Sequence, residues 1–360
     1  MNIPLSRPYM DQQSKKNVLK VLDSGRYILG DNCKLFEEEF ATYIGAKYAI
    51  LTNSGTSAIF LSLMALNIGE GDEVIVPSHT AFPTVEPIFY TGAKPVFVDI
   101  NESTYTLSPE EIRKNITDKT KAILPVHLYG HPAKMDSIKK IAKENDLSII
   151  EDCCQAHGAF FKGKKVGAIG DVGCFSFYPS KNMTVGGDGG ILTTNSHKIA
   201  ETVKMLRNHG RKEKYKHEVM GLNLRFNEIQ AVVGRIQLKK LDEFNNKRRG
   251  IAKLYSECLG SLPVVTPKEK KWGQSAFHLY VIRIEERTAL QANLKNHGIS
   301  TGIHYPIPCH MQPAVNKVMK TPKLITTEKI VDEIVSLPIF PELKSKEIIY
   351  VCNRISNYLS

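Results

Sequence analysis

The sequence lacks several features that would assign it to other protein classes. It has no repeat or low-complexity segment, no apolar run of membrane-spanning length, and no GxGxxG opening its first strand-to-helix crossover. Ser57 to Ile68 is the longest mostly apolar stretch, and it falls short of the roughly 20 residues that a bilayer requires. A buried helix suits it better. Met1 to Pro8 lack the apolar centre of a signal peptide. The seven cysteines (Cys33, Cys153, Cys154, Cys174, Cys258, Cys309, Cys352) are odd in number, scattered and without CxxC pairing. Neither a disulfide framework nor a zinc site is expected, no metal is called for, and a cytoplasmic setting fits. Cys153 and Cys154 are expected to fill small buried volumes.

A net charge of +11 raises the question of nucleic acid, with basic clusters at Asn246-Lys247-Arg248-Arg249 and Lys268-Glu269-Lys270-Lys271. The excess is spread along the chain, often alternates with Glu, and accompanies no nucleic-acid module. A solvated basic surface is the expectation, with steering of an anionic, phosphate-bearing substrate as the functional alternative.

A hydrophobic fraction of 42% beside 24% charge is that of an ordinary globular protein, and 360 residues exceed what one core serves well. From Tyr48 to Thr194, short apolar runs alternate with helical stretches. Tyr48–Thr52, Glu73–Pro77, Pro95–Asp99, Ala122–Val126 and Leu147–Glu151 read as strands, with helices such as Ser57–Leu66, Pro109–Arg113 and Met135–Asn145 between them. That alternation predicts an α/β fold with a mainly parallel sheet covered on both faces. Its ligand site would lie beyond the strands' carboxyl ends, near Asn53, Ser78, His127, Asp152 and Pro179. A helix over Asn227–Phe244 precedes a compact α+β remainder, so residues 1–245 are expected to form the large domain and 246–360 a smaller one.

Lys181 lies between an apolar stretch and the run Gly186-Gly187-Asp188-Gly189-Gly190. An amine becomes nucleophilic when burial and neighbouring cations lower its pKa. An imine-forming lysine suggests pyridoxal phosphate, which requires three further features from a protein. Asp152 is the candidate carboxylate for the ring nitrogen, and Gln155 for the ring hydroxyl. Helix capping is the commoner role for such an aspartate. Asn53-Ser54-Gly55-Thr56-Ser57-Ala58 links a strand to a helix, so its N–H groups and the Thr56 and Ser57 hydroxyls would cradle a phosphate, with Ser176 as a further ligand. His79 or Phe82 would cover the ring face, although core packing accounts for Phe82 equally well.

In this order, these residues resemble the sugar aminotransferases of the DegT/DnrJ/EryC1/StrS family, within the fold-type I pyridoxal phosphate enzymes related in fold to aspartate aminotransferase. The resemblance runs from Leu22–Gly30 through Asn53–Ala58, Val126–Pro132, Glu151–Gly158 and the lysine segment. It continues through Gly221–Arg225, Glu228–Ala231 and Gly302–Pro306 to Ser336–Pro341. It implies that Lys181 is the Schiff-base lysine, Asp152 the ring-nitrogen partner, Gln155 the hydroxyl contact, and Thr56, Ser57 and Ser176 phosphate ligands. Asn223 resembles the residue that reaches the cofactor of a neighbouring subunit, which implies a homodimer. Tyr27, Arg225, His304 and Tyr305 lie in segments that approach substrate in the family. Ala81 departs from the pattern, since many members carry an aromatic there. The presence of Lys181 argues against the deoxysugar 3-dehydrase branch, which has histidine at that position. The activity implied is transamination of a nucleotide-linked keto sugar, with glutamate as donor and the cofactor shuttling between its pyridoxal and pyridoxamine forms. Alternatives are a keto-inositol aminotransferase, an aminodehydratase or a non-catalytic regulatory relative. A nucleotide-binding oxidoreductase also fits an α/β pattern, but its glycine motif is missing. Sugar, ring position and nucleotide would be set by loops around Arg26-Tyr27, Lys212–Met220 and Gly302–Gln312.

Overall fold

The computed structural model describes residues 1–360. Two helices, α1 (Gln12–Ser24) and α2 (Asp31–Ile44), precede strand β1 (Tyr48–Thr52), helix α3 (Gly55–Ala65), and strands β2 (Glu73–Pro77), β3 (Lys94–Val98), β4 (Thr120–Ile123) and β5 (Ser148–Asp152). With Val172–Ser176 and Gly190–Thr194 these strands make a seven-stranded sheet. Its order is β1, Gly190–Thr194, Val172–Ser176, β5, β4, β2, β3. Every pairing is parallel except the two made by Gly190–Thr194. The expected fold class is therefore found, with one antiparallel strand following Lys181.

The sheet is apolar on both sides, as a parallel sheet between helices must be. Successive side chains alternate between faces. Ile50, Val74, Val76, Ile150 and Leu192 enter one core with Ala58, Ile59 and Leu61 of α3. Leu51, Ile75, Ile149 and Ile191 enter the opposite core with Phe36 and Phe40 of α2. A third core gathers Ile251, Tyr255, Tyr280, Ile282, Val335, Val351 and Ile355 with Ile3 from the start of the chain. The antiparallel pair Tyr280–Arg283 and Ile334–Leu337 runs through it. No helix is long and apolar enough to cross a membrane.

The five expected strands fall within about three residues of the observed ones, Val172–Ser176 and Gly190–Thr194 were not among those expected, and the helix expected over Asn227–Phe244 runs from Glu228 to Leu259. Its buried face continues through Asn245, Arg248, Ile251, Ala252 and Tyr255, a helical spacing in which two polar residues occupy inward positions. Arg248 also departs from the expected solvated surface. It is 3% exposed and donates to the carbonyls of Phe277, His278 and Ile339 at 3.3, 3.1 and 3.1 Å. Lys247 beside it is exposed and pairs with Glu243 at 2.6 Å.

Candidate active site

A cavity of about 590 Å³ opens at the carboxyl ends of β2 and β5, within the roughly 300–1,000 Å³ range of ligand clefts. Gly55, Thr56, Phe82, Asp152, Gln155, Ser176, Lys181 and Tyr305 all reach its wall. A smaller cavity of about 240 Å³ shares Tyr178, Lys181 and Tyr305 and adds Ser6, His278 and His304. The Lys181 side chain thus lines both.

Three elements place these groups. β5 ends on Asp152, whose Oδ2 accepts from the Thr84 hydroxyl at 2.7 Å and whose Oδ1 accepts from the Cys154 N–H at 3.0 Å. A carboxylate has about four acceptor sites, so Asp152 retains capacity for another donor from the cavity. α3 begins at Gly55, with Ser54 as its cap. The Ser54 hydroxyl oxygen accepts from Ser57 N–H at 3.0 Å and lies 2.9 Å from the Ser57 hydroxyl. Gly55 is required by close approach, because a Cβ there would stand 2.8 Å from both Ser176 Cβ and Cys154 Sγ. Gly190 is similarly constrained, since its Cβ would meet the Ser54 carbonyl at 2.3 Å. The helix start is thereby pressed against Ser176, leaving N–H groups and hydroxyls at one end of the cavity.

Lys181 follows a turn in which its N–H donates to the Tyr178 carbonyl at 2.8 Å. Its amine makes no hydrogen bond or ion pair within the chain. Burial pushes the amine below its ordinary pKa, opposed by Cys154 and Asp152. Gln155 is oriented by the Tyr129 N–H, which donates to Oε1 at 2.7 Å, while Nε2 donates to the Tyr305 hydroxyl at 3.0 Å. One amide N–H of Gln155 stays available.

The residues present fit pyridoxal phosphate. There is an unpartnered amine for the aldehyde and a carboxylate with a spare acceptor site for the ring nitrogen. There is also an amide donor for the ring hydroxyl and a helix start for the phosphate. Five expected residues line neither cavity: Ser57, His79, Tyr27, Asn223 and Arg225. Ser57 lies behind Ser54, and His79 is buried with Nε2 against the Tyr129 hydroxyl at 2.7 Å. Of the two candidates for the ring face, only Phe82 reaches the cavity. Tyr27, Asn223 and Arg225 lie on a surface strip, the first two exposed and Arg225 half-buried. There Glu228 N–H donates to the Tyr27 carbonyl at 2.8 Å and Arg225 Nε donates to Asn223 Oδ1 at 3.1 Å. Thr84 and Cys154 carry contacts that the sequence did not announce. The partner of Thr84 lies 68 residues away, so no local pattern marks it.

Behind the wall, His127, Glu151 and Cys153 lie within 4.8 Å of one another. The polar side-chain atoms of His127 and Glu151 are already engaged. Glu151 accepts from His127 Nε2 and from the N–H groups of Gly167, Ile169 and Gly170, while Ala133 N–H donates to His127 Nδ1. Burial alone would raise the Glu151 carboxyl, but these bonds hold it below its ordinary value. The group is a satisfied buried network that braces the last residues of β5.

The model of the DegT/DnrJ/EryC1/StrS aminotransferase family matches residues 8–356. A dTDP-3-amino-3,6-dideoxy-alpha-D-galactopyranose transaminase of Aneurinibacillus thermoaerophilus is 45% identical, over 94% of this chain and 93% of its own. A pleiotropic regulatory protein of Geobacillus stearothermophilus is 43% identical over 99% of both chains. The solved structure of DesV from S. venezuelae superposes with a TM-score of 0.94 at 42% identity, covering 96% of this chain and 94% of that one.

Proposed function

The chain belongs to the DegT/DnrJ/EryC1/StrS aminotransferase family and is a pyridoxal-phosphate-dependent aminotransferase, and we propose that it converts a nucleotide-linked keto sugar to an amino sugar with L-glutamate as donor. The observation that carries this reading is the Lys181 amine, unpartnered on a wall shared with Asp152 and Gln155. The transaminase name of the Aneurinibacillus relative supports the substrate class. The Geobacillus relative's regulatory name does not favour a non-catalytic reading here, since Lys181, Asp152 and the phosphate cup all line the cavity.

Pyridoxal phosphate, when bound, supplies an aldehyde and a ring that draws electrons from the carbon bearing the amino group. Asp152 holds a proton at the ring nitrogen, so that the ring keeps its electron-withdrawing charge. Thr84 and the Cys154 N–H fix that carboxylate in place. Lys181 Nζ would take the proton from the donor α-carbon and deliver it to the carbon that carried the cofactor's aldehyde, a role that its lowered pKa suits. Gly55 N–H, Thr56 and Ser176 anchor the phosphate, Gln155 contacts the ring hydroxyl and Phe82 covers a ring face. His304 and Tyr305 face the substrate side. We also propose that Tyr27, Asn223 and Arg225 serve the cavity of a second copy of this chain, because none of them reaches a cavity of its own. Exposed Leu22, Ile28 and Leu222 on the same strip provide apolar surface for that contact.

Lys181→Ala is expected to abolish transamination of UDP-, dTDP- and GDP-linked keto sugars, read by mass spectrometry, and to remove the borohydride-bleachable chromophore. Undiminished turnover in that variant would sink the assignment.

A further inference from the structure

Tyr129 joins parts of the site that are remote in sequence. Its main-chain N–H donates to Gln155 Oε1 at 2.7 Å, and Gln155 Nε2 donates to the Tyr305 hydroxyl at 3.0 Å. Tyr305 follows His304, whose carbonyl accepts the Tyr129 phenol hydrogen. The contacts therefore close into a ring that begins and ends on Tyr129. Gln155 and Tyr305 line the main cavity, whereas Tyr129 does not.

The hydrogens around the phenol can be assigned by counting. A phenol has one hydrogen, and a carbonyl can only accept it. The 2.7 Å contact with His79 therefore runs from the His79 Nε2–H to the Tyr129 oxygen. This gives His79 a defined use, with its Nδ1 left without a partner in the chain. Tyr129 also has φ +58°, in the left-handed region. A residue with a Cβ remains there only when its surroundings over-determine it. Packing alone would require the ring but not the hydroxyl.

We infer that Tyr129 is a positioning residue, which uses its N–H and its phenol together to hold Gln155 and Tyr305 against the cofactor cavity as one unit. The inference rests on the cofactor site proposed above.

Tyr129→Phe removes the hydroxyl and keeps the ring and the N–H. Titration of the cofactor-free variant with pyridoxal phosphate, followed by fluorescence, is expected to show affinity weakened roughly 5- to 50-fold. The visible band of the loaded protein should titrate at a shifted pH. A role in packing alone would lower the melting temperature and leave that titration unmoved. In a Tyr305→Phe background the same substitution should weaken binding less than in the native chain, because the two act through one path. Native affinity and native titration, or full additivity with Tyr305→Phe, would overturn the inference. If Tyr129→Phe does not fold, His79→Gln and His79→Leu read the same phenol, since only Gln keeps an N–H for it. The Leu variant should shift the titration and the Gln variant should not, and identical behaviour counts against the proposal. If the native chain forms no chromophore with pyridoxal phosphate, the proposed function fails. A native chromophore indifferent to the phenol removes this inference alone.

Discussion

An amine lining a cavity beside Asp152 and Cys154 is subject to opposing influences. Burial disfavours its charged form, and the two neighbours favour it, with burial prevailing. A lysine whose folded pKa is lowered destabilises the fold wherever the unfolded lysine would be protonated. That effect is complete below the folded pKa and vanishes above the unfolded value of about 10.4. Lys181→Met should therefore stabilise the cofactor-free protein at pH 7 by about 1–2 kcal/mol, within the range of substitutions that relieve a functional site. Urea midpoints for both proteins between pH 7 and 10.5 check this. The gap should narrow as pH rises, and a gap that widens would contradict the argument. Lys181 and Asp152 were legible in the sequence because a glycine run and a strand end mark them locally. The places of His79, Thr84 and Tyr129 were not, because each is set by a partner 50 or more residues away. His79 shows this most clearly: its sequence position favoured the ring face, yet the Tyr129 phenol holds it inside the wall.

At the scale of elements, the long helix Glu228–Leu259 is the common support. Its first residue, Glu228, accepts from the N–H groups of Asn32 and Cys33 at 2.9 and 2.8 Å and so caps α2. Further along, Asn245 donates to the His157 carbonyl and Arg248 to three carbonyls of the C-terminal part. The period of Ile229, Val232, Val233 and Ile236 announced the start of this helix. Its second half was hidden because Asn245 and Arg248 break the apolar count while keeping the inward register. Lys240 of the same helix tethers α1, since its ammonium lies 2.7 Å from Asp11 Oδ2 while Asp11 Oδ1 accepts from Ser14 N–H. The hydrogen bond from Lys240 is the main cause that pulls the Asp11 carboxyl down to about 2. A depressed carboxyl gives stability that is present above its unfolded value of about 3.9 and is lost as pH falls toward the folded value. Asp11→Asn keeps a good cap and removes the ion pair. The pair is partly exposed, so the loss at pH 7 should stay under about 1 kcal/mol. Denaturant midpoints should draw together as pH falls from about 5 through the folded value of about 2, and a difference that persists unchanged at about pH 2 would show that the cap, not the charge, was affected.

For the molecule as a whole, the residues expected at the site divide into two groups. Lys181, Asp152, Gln155 and the phosphate cup face one cavity, whereas Tyr27, Asn223 and Arg225 stand on a surface strip with apolar neighbours. The sheet and its two cores were readable from alternating apolar runs, because burial on both faces leaves its pattern in each strand. Which surface strip serves which cavity leaves no such pattern, since it depends on a contact between chains. If the strip completes the cavity of a second copy, Lys181→Ala and Asn223→Ala damage the same site from opposite chains. Each variant alone should be nearly inactive. When the two are unfolded together and refolded as a mixture, half the dimers pair one of each, and every such hybrid holds one intact site and one doubly damaged site. About a quarter of native activity should then return, as expected for a two-fold assembly with shared sites. A mixture no more active than its components would place Asn223 in the site of its own chain, or outside the site altogether. An affinity tag on one variant, with capture of the untagged variant through it, separates that outcome from a failure to form hybrids.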